Sequence, residues 1–506
     1  MELLVSAVAG DLISRFISSV AQNYSSHGCK EEDLVRLERV LLRMHSVVEE
    51  AEGRHITNRG MLLQLKGLVE GFYFGYYMLD RAKSSQLAEQ DDITQDEVSH
   101  EIRSFALSTP NSTKRFRFAD AVRKHTSVAF GSRRSGSTRN LKGAVECLEA
   151  KIAHMREFIV LLGSYPRLPR QPYSTYLFMD KCMFGRHLEK EQVIDFLLCS
   201  DDDAPDHPYV SVLPVIGPHR IGKKTLMQHA CHDERVRNRF SHIYFFKQDE
   251  LGAGELSINC KVSSGKYLFV IEFVSDVDEA AWTKFRSYLQ GMSATGIKVV
   301  VIGRTEHIAK FGTSQPVRMK WLSQEEYWYY FKALAFGSMD PDEHPKLVSL
   351  GMQLAAVLKG AFLGANILGE VLRANPSAKF WHNSLSIFTE LVDNNLSSFD
   401  AHPEDLLDRN SPVYFTKVAH VGTKVQGGLL YDLREAGPAE CELAKITSRD
   451  MILGGDIPDE HKFDVLIWKS RIPPYHGYIA TFEKREPGCI VGRGGHSPLR
   501  RHKRKS

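Results

Sequence analysis

The sequence predicts a multidomain chain: an N-terminal antiparallel four-helix bundle, an α/β domain of the P-loop type with helices following it, and a C-terminal region of mixed character. Three observations predict it. Apolar residues recur at helical spacing through the first 164 residues. From Tyr209 onward, β-branched apolar runs alternate with helical stretches, as in a parallel sheet flanked by helices. One of those runs feeds a glycine loop, "GPHRIGK", from Gly217 to Lys223.

The bundle comes first. Leu4, Val8, Leu12, Phe16 and Val20 share one helical face, and Leu34, Leu37, Val40, Leu41, Met44 and Val48 form the stripe of a helix over Asp33 to Glu52. A third helix spans Met61 to Lys83 and a fourth Leu141 to Leu162; short connections imply antiparallel packing. Phe72, Tyr73, Phe74, Tyr76 and Tyr77 crowd the third helix and read as bundle core, with part of the cluster left exposed as a partner surface. Asn111 to Asn140 is a Ser/Arg/Lys-rich loop, and three prolines in "YPRLPRQPYSTY" mark a stiff linker. The domain plan is therefore 1–164 helical, 165–182 linker, 183–322 α/β, 323–375 helical, 376–483 of unassigned fold, and 484–506 a basic tail.

In the α/β domain, "YVSVLPVIG", "YLFVIEFV" (267–274) and "KVVVIGR" (298–304) are buried strands. The first delivers Gly217, whose following loop can turn backbone N–H groups and a helix N-terminus toward phosphates, with Lys223 reaching them. The second ends in Glu272, where a carboxylate can hold magnesium through water, and the third in Arg304, placed to sense a terminal phosphate. Ser323 and Glu326 then form a capping box for a helix.

Composition limits the alternatives. With 506 residues, 43% hydrophobic, 25% charged and a net charge of +3, the chain carries no global pull toward nucleic acid or membrane. Its eight cysteines lie at least 17 residues apart, which suits reduced core thiols in the cytoplasm or nucleus and leaves no zinc spacing. The 21 histidines likewise show no metal-ligand spacing, and no metal ligand or catalytic residue is assigned. No secretory signal or membrane-spanning run is expected. The tail with Arg500, Arg501, Lys503, Arg504 and Lys505 is either a nuclear address or a solvated terminus.

These blocks, in this order, resemble the coiled-coil class of plant nucleotide-binding immune receptors, the NB-ARC proteins with an Rx-type helical N-terminal domain. Within that family they resemble a grass subgroup without leucine-rich repeats. "FGRHLEKEQVIDFLL" matches the segment before the nucleotide domain, "KYLFVIEFVSDVDEAAW" the acid-ending strand, "KVVVIGRTEHIAKFG" the sensor strand, and "LKGAFLGANILGEVLR" a later helix start. "FDVLIWKSRIPPYHGYI" matches the subgroup's ending. The resemblance implies ADP or ATP as cofactor. Gly185 and Arg186 would lie against adenine, and Gly217, Gly222, Lys223, Lys224 and Thr225 would line the phosphates beside Glu272 and Arg304.

Departures from the family pattern bear on turnover. Lys224 stands where the family has a magnesium-binding hydroxyl, and Thr225 is turned about 100° away on a helix. Lys224 is expected to bring its ammonium toward the phosphates. Phe273 replaces the second acid, Phe362 replaces a proline against adenine, and the Met-His-Asp and EDVID blocks are missing. The expectation is nucleotide binding with little or no hydrolysis, magnesium being doubtful, and action through protein partners met by the N-terminal bundle. An active ATPase with a rearranged magnesium site and a nucleotide-free scaffold are the alternatives.

Overall fold

A computed structural model describes residues 28–52, 54, 56, 58–98, 136–165, 184–199, 210–248, 265–273, 279–290, 296–415, 420–421, 424–425, 427–444, 446–453, 458–470 and 477–485. The expected first helix, most of the basic loop, nearly all of the linker and the tail lie outside these residues. The chain divides into two compact units, Met1–Ser174 with Met339–Ser349, and Thr175–Ser338 with Leu350–Ser506.

In the first unit, α1 (Gly28–Glu52), α2 (Arg59–Val98) and α3 (Gly136–Ala153) pack against one another. Leu37, Leu41, Met44, Leu68, Phe72, Val145 and Leu148 fill their shared interior, so the predicted stripes are the buried ones. In the aromatic cluster Phe72 and Tyr73 are buried and Phe74, Tyr76 and Tyr77 half-buried, so it is mostly core and none of the five is fully exposed. Three boundaries differ from the sequence reading. The third predicted helix continues to Val98, and the basic loop ends early because α3 begins at Gly136. The fourth predicted helix breaks at His154–Met155, and α4 (Arg156–Leu162) follows, anchored by Phe158 and Leu162. Three packed helices are thus described where four were expected.

The second unit contains two sheets. β1 (Val210–Ile216), β2 (His242–Lys247), β3 (Tyr267–Glu272), β4 (Ile297–Gly303) and β5 (Val317–Arg318) form a wholly parallel sheet in the order β2-β3-β4-β1-β5. A parallel sheet is covered on both faces, and β1 and β4 are buried along their whole length. Leu213, Val215, Leu268, Val270, Val300 and Ile302 face a layer containing α5 (His187–Leu198), α6 (Lys223–Cys231) and α7 (Glu234–Arg239). Val212, Phe269, Val299 and Val301 face the other way, onto Trp282 and Phe285 of α8 (Glu279–Gln290). The two faces alternate residue by residue, as strand geometry requires.

Next come α9 (Gln324–Phe336), α10 (Phe362–Ala374), α11 (Ala378–Phe399) and α12 (Pro403–Asp408). The predicted capping box is present: Ser323 Oγ accepts from the Glu326 amide, and Glu326 accepts from the Ser323 amide. The region without an assigned fold resolves into a second sheet of β6 (Val413–Phe415), β9 (Gly427–Ala436), β10 (Ile446–Thr447), β11 (Lys462–Lys469) and β12 (Gly477–Arg485). Its order is β10-β11-β12-β9-β6, with only β10 and β11 parallel, and a separate hairpin of β7 (His420–Val421) and β8 (Lys424–Val425) stands beside it. Val465, Ala480 and Phe482 form its core against Leu363 and Ile367 of α10. Phe362, one residue earlier, packs on the core of the first sheet, so the start of α10 joins the two cores. Asn395 of α11 adds a polar tie: its side chain donates to the Tyr414 carbonyl and accepts from the Tyr414 amide.

Candidate functional site at the end of the parallel sheet

Ligands of open α/β sheets bind beyond the carboxyl ends of the strands, where successive connections diverge. β1 ends there, between β4 and β5, and its continuation is the glycine loop. The Gly217 amide donates to the Gly303 carbonyl at 3.2 Å, fastening the loop to the end of β4. A Cβ at Gly217 would lie 2.8 Å from the Met319 carbonyl oxygen, so only glycine permits this approach. Gly222 caps α6 with φ +91°, a left-handed conformation that glycine adopts without strain. The nine-residue helix that follows presents its unsatisfied N–H groups to the loop.

Lys223 opens that helix and is buried. Its ammonium donates to the carbonyls of Gly217 and Pro218, at 2.7 and 2.5 Å, so the loop is closed on its own lysine. Burial, and then the charge of Arg304, push the Lys223 ammonium down to about 8, while Glu272 and Asp408 oppose the shift. Lys223, Arg304 and Glu272 therefore share one electrostatic neighbourhood. Its two cations, Lys223 and Arg304, are balanced by the carboxylates of Glu272 and Asp408, and a polyanion would compete with those carboxylates for them.

Glu272 and Phe273 separate cleanly. Glu272 continues the face of Leu268 and Val270, toward α6. Phe273 is buried on the opposite face with Trp282 and Phe311, so position 273 contributes to a core rather than to the site. Lys224 differs from its expectation. Its ammonium bonds both oxygens of Glu435 on β9, at 2.9 and 3.1 Å, and is thereby directed to a carboxylate of the second sheet. Thr225 is half-buried on the next step of α6.

Gly185 has φ +66° and lies against Leu322, within the segment that follows β5. The Arg186 guanidinium is buried. It donates to the Lys320 carbonyl at 2.7 Å and pairs with Glu189, so its charged end is engaged within the protein. Burial lowers the pKa of its guanidinium, and the Glu189 carboxylate opposes that shift. The Met319 amide donates to the Ile216 carbonyl, so Gly185, Arg186 and the glycine loop are connected through residues 317–322. Beside Gly185, Phe184 and Phe362 both approach Tyr330, at ring separations of 5.3 Å. These rings form an aromatic niche, and the Tyr330 hydroxyl accepts from Asn366.

Sequence reasoning missed Arg220. It lies inside the loop with φ +52°, and its Nη2 donates to Asp408 Oδ1 at 2.7 Å. An arginine within so tight a turn was the available signal.

The site's sequence has recognisable relatives. No family model matches the chain. It is 25% identical over 386 residues to disease resistance protein RGA2 of Solanum bulbocastanum, covering 70% of this chain and 36% of that protein. It is 28% identical over 226 residues to the RGA1 disease resistance protein of the same organism, covering 40% of this chain and 23% of that one. A third match, to disease resistance RPP13-like protein 1 of Arabidopsis thaliana, is 20% identical and covers 76% of this chain and 37% of the relative. The chain is thus similar to plant disease resistance proteins of the NB-ARC type. It spans roughly a quarter to a third of the length of these relatives.

The glycine loop, the strand ending in Glu272 and the strand followed by Arg304 occur together in this chain at one end of its parallel sheet. Carboxylates of the C-terminal part of the chain reach the loop's cations: Asp408 takes Arg220, and Glu435 takes Lys224. Among the described residues, no three His, Cys, Asp or Glu side chains cluster as metal ligands, and no helix is long and apolar enough to cross a membrane.

Proposed function

We propose that this chain is an NLR-like defence-response protein of plants that binds ADP or ATP at Gly217–Lys223 and acts by protein contact, with little or no hydrolysis. The observation that carries the proposal is the convergence of the loop, the N-terminus of α6, Lys223, Arg304 and Glu272 at one edge of the parallel sheet. Gly222, Lys223 and Thr225 would bind phosphates, Arg304 would meet the terminal one, and Gly185 and Arg186 with the aromatic niche would take the base. The loop's cations and the backbone N–H groups at the start of α6 suit an anionic nucleotide. Magnesium, where bound, would supply charge neutralisation at the phosphates, with Glu272 as the acid at the end of β3 that would hold it through water.

Weak turnover follows from the side chains around the loop. Lys224 brings no metal-binding hydroxyl and is tied to Glu435, and Phe273 cannot orient water because it is buried on the far face. Phosphoryl transfer depends on positioning and charge, so losing both functions removes orders of magnitude in rate. Protein contact would come from the helical first unit, where Ile159, Val160 and Leu161 of α4 are exposed. Cytoplasmic residence is part of the proposal, with nuclear entry through residues 500–505. Absence of leucine-rich repeats in the complete protein would suit a helper, regulator or decoy role.

The test is the nucleotide content of the purified protein together with its turnover of ATP. Bound ADP or ATP with negligible phosphate release supports the proposal. Turnover that vanishes in Lys223→Ala would establish the ATPase alternative. A second reading, the nucleotide-free scaffold, is favoured by one observation, the capture of Arg220 and Lys224 by internal carboxylates. Protein that carries no nucleotide and gains no thermal stability from ADP or ATP would establish it.

A further inference from the structure

Three carboxylates from the C-terminal half of the second unit reach the glycine loop. Asp408, at the end of α12, accepts from Arg220 Nη2 at 2.7 Å and lies 3.4 Å from His219 Nδ1. Glu404, one turn earlier, is 3.9 Å from Arg220 Nη1. Glu435 of β9 takes Lys224 with both of its oxygens. These residues are far from the loop in sequence and belong to different elements. They nevertheless converge on consecutive turns of the segment that the nucleotide reading assigns to phosphates.

Arg220 is the telling member. Its side chain is only 6% exposed, and its Nε and Nη1 are buried without a hydrogen-bond partner. A guanidinium carries five donors in a fixed fork, and buried donors left unfilled are costly. The residue also holds a left-handed backbone, at φ +52°, which non-glycine residues rarely adopt. Strain and unfilled donors at one buried cation mark a site arranged for more than the single bond it makes. An anion with several oxygens would fill the fork, and a polyphosphate supplies them.

We propose that Asp408, with Glu404 and Glu435, forms an acidic latch on the glycine loop that competes with the polyphosphate of a nucleoside diphosphate for Arg220 and Lys224. The proposal rests on the nucleotide reading and extends it. Nucleotide binding then draws Arg220 and Lys224 to the phosphates and frees α12 and β9, while a latched C-terminal part weakens binding by mass action. Occupancy of the loop is thereby transmitted to the second sheet by charge exchange, with no chemistry required. Tyr478 of β12 belongs to the same neighbourhood: burial, and next Glu435, push its phenol up to about 12.

The experiment combines ADP titration calorimetry with backbone hydrogen exchange on the full chain. Wild type is compared with Asp408→Asn/Glu435→Gln and with Asp408→Glu, which keeps the charge. The latch predicts that the double variant binds ADP at least tenfold more tightly and that Asp408→Glu stays within threefold of wild type. It further predicts that ADP speeds exchange in 403–408 and 427–436 of wild type; this last readout needs no variant. Equal affinities overturn the latch. So does tighter binding by the double variant without any exchange change in wild type, because long-range charge alone would then suffice. If no form of the protein binds ADP, the nucleotide reading fails and the latch falls with it, a result distinct from the previous two.

Discussion

The two sheets of the second unit are built on opposite principles. The central strands of the parallel sheet, β1, β3 and β4, are buried on both faces almost throughout and need no alternating pattern, whereas its edge strand β2 is partly exposed. The C-terminal sheet is half-exposed: β11 alternates exposed and buried residues along its first half, then loses that order at a register shift between Leu466 and Trp468. A second irregularity between Ile479 and Thr481 interrupts β12. One sheet delivers the loop and its cations to a single edge; β9 of the other brings Glu435 to the same place, and the helix α12 brings Glu404 and Asp408. Their difference suggests a division of labour, with the first sheet binding and the second opposing or reporting the binding.

The largest effect should come from the two cores. Phe269 and Phe482 are each almost wholly buried, one in each sheet. Truncation to alanine should cost about 3–5 kcal/mol in either position, measured by urea unfolding. The consequences for ADP should diverge, with binding lost in Phe269→Ala and retained or strengthened in Phe482→Ala. Loss of ADP binding in both variants would break the division of labour.

A smaller effect concerns the buried lysine. Lys223 has its folded-state value pushed down to about 8, below the usual range for lysine near 10.4. Between these values the unfolded chain holds a proton that the folded chain has released, so stability rises with pH across roughly 8 to 10.4. The gain should be on the order of 3 kcal/mol for nucleotide-free protein. Lys223→Met should flatten that rise in a pH series of unfolding curves. A rise that persists unchanged in the variant would remove Lys223 as its source.

The smallest effect sharpens the boundary after the parallel sheet. Ser323→Ala removes the side-chain acceptor that caps α9 and should cost about 1 kcal/mol in thermal unfolding. ADP affinity should be unaffected if α9 serves mainly as support for Tyr330 and the aromatic niche.

The same contrast explains what the sequence disclosed. Continuous β-branched runs located β1, β3 and β4, and the strand–glycine–helix order located the loop. The pairing of β9 with β12, some fifty residues later, leaves no local signal, and the bulges erase the period that would have announced these strands. Lys224 was given a phosphate role because its partner Glu435 sits in that unassembled sheet, 211 positions away. Phe273 was read as a substituted catalytic position, yet one step along a strand reverses the face, which places it in the core. Arg220 stands among the four residues between the motif's two glycines, to which the motif itself gives no role. Its left-handed backbone and its acidic partners are features of the assembled chain.

The most direct test of the central claim is calorimetric titration of ADP into nucleotide-free full chain and into Lys223→Ala, with unfolding curves confirming that both are folded. The account predicts saturable, one-to-one binding by the unmodified chain and at least a tenfold loss in the variant. Absent binding, or binding that Lys223→Ala leaves unchanged, would contradict a nucleotide site at the Gly217–Lys223 loop.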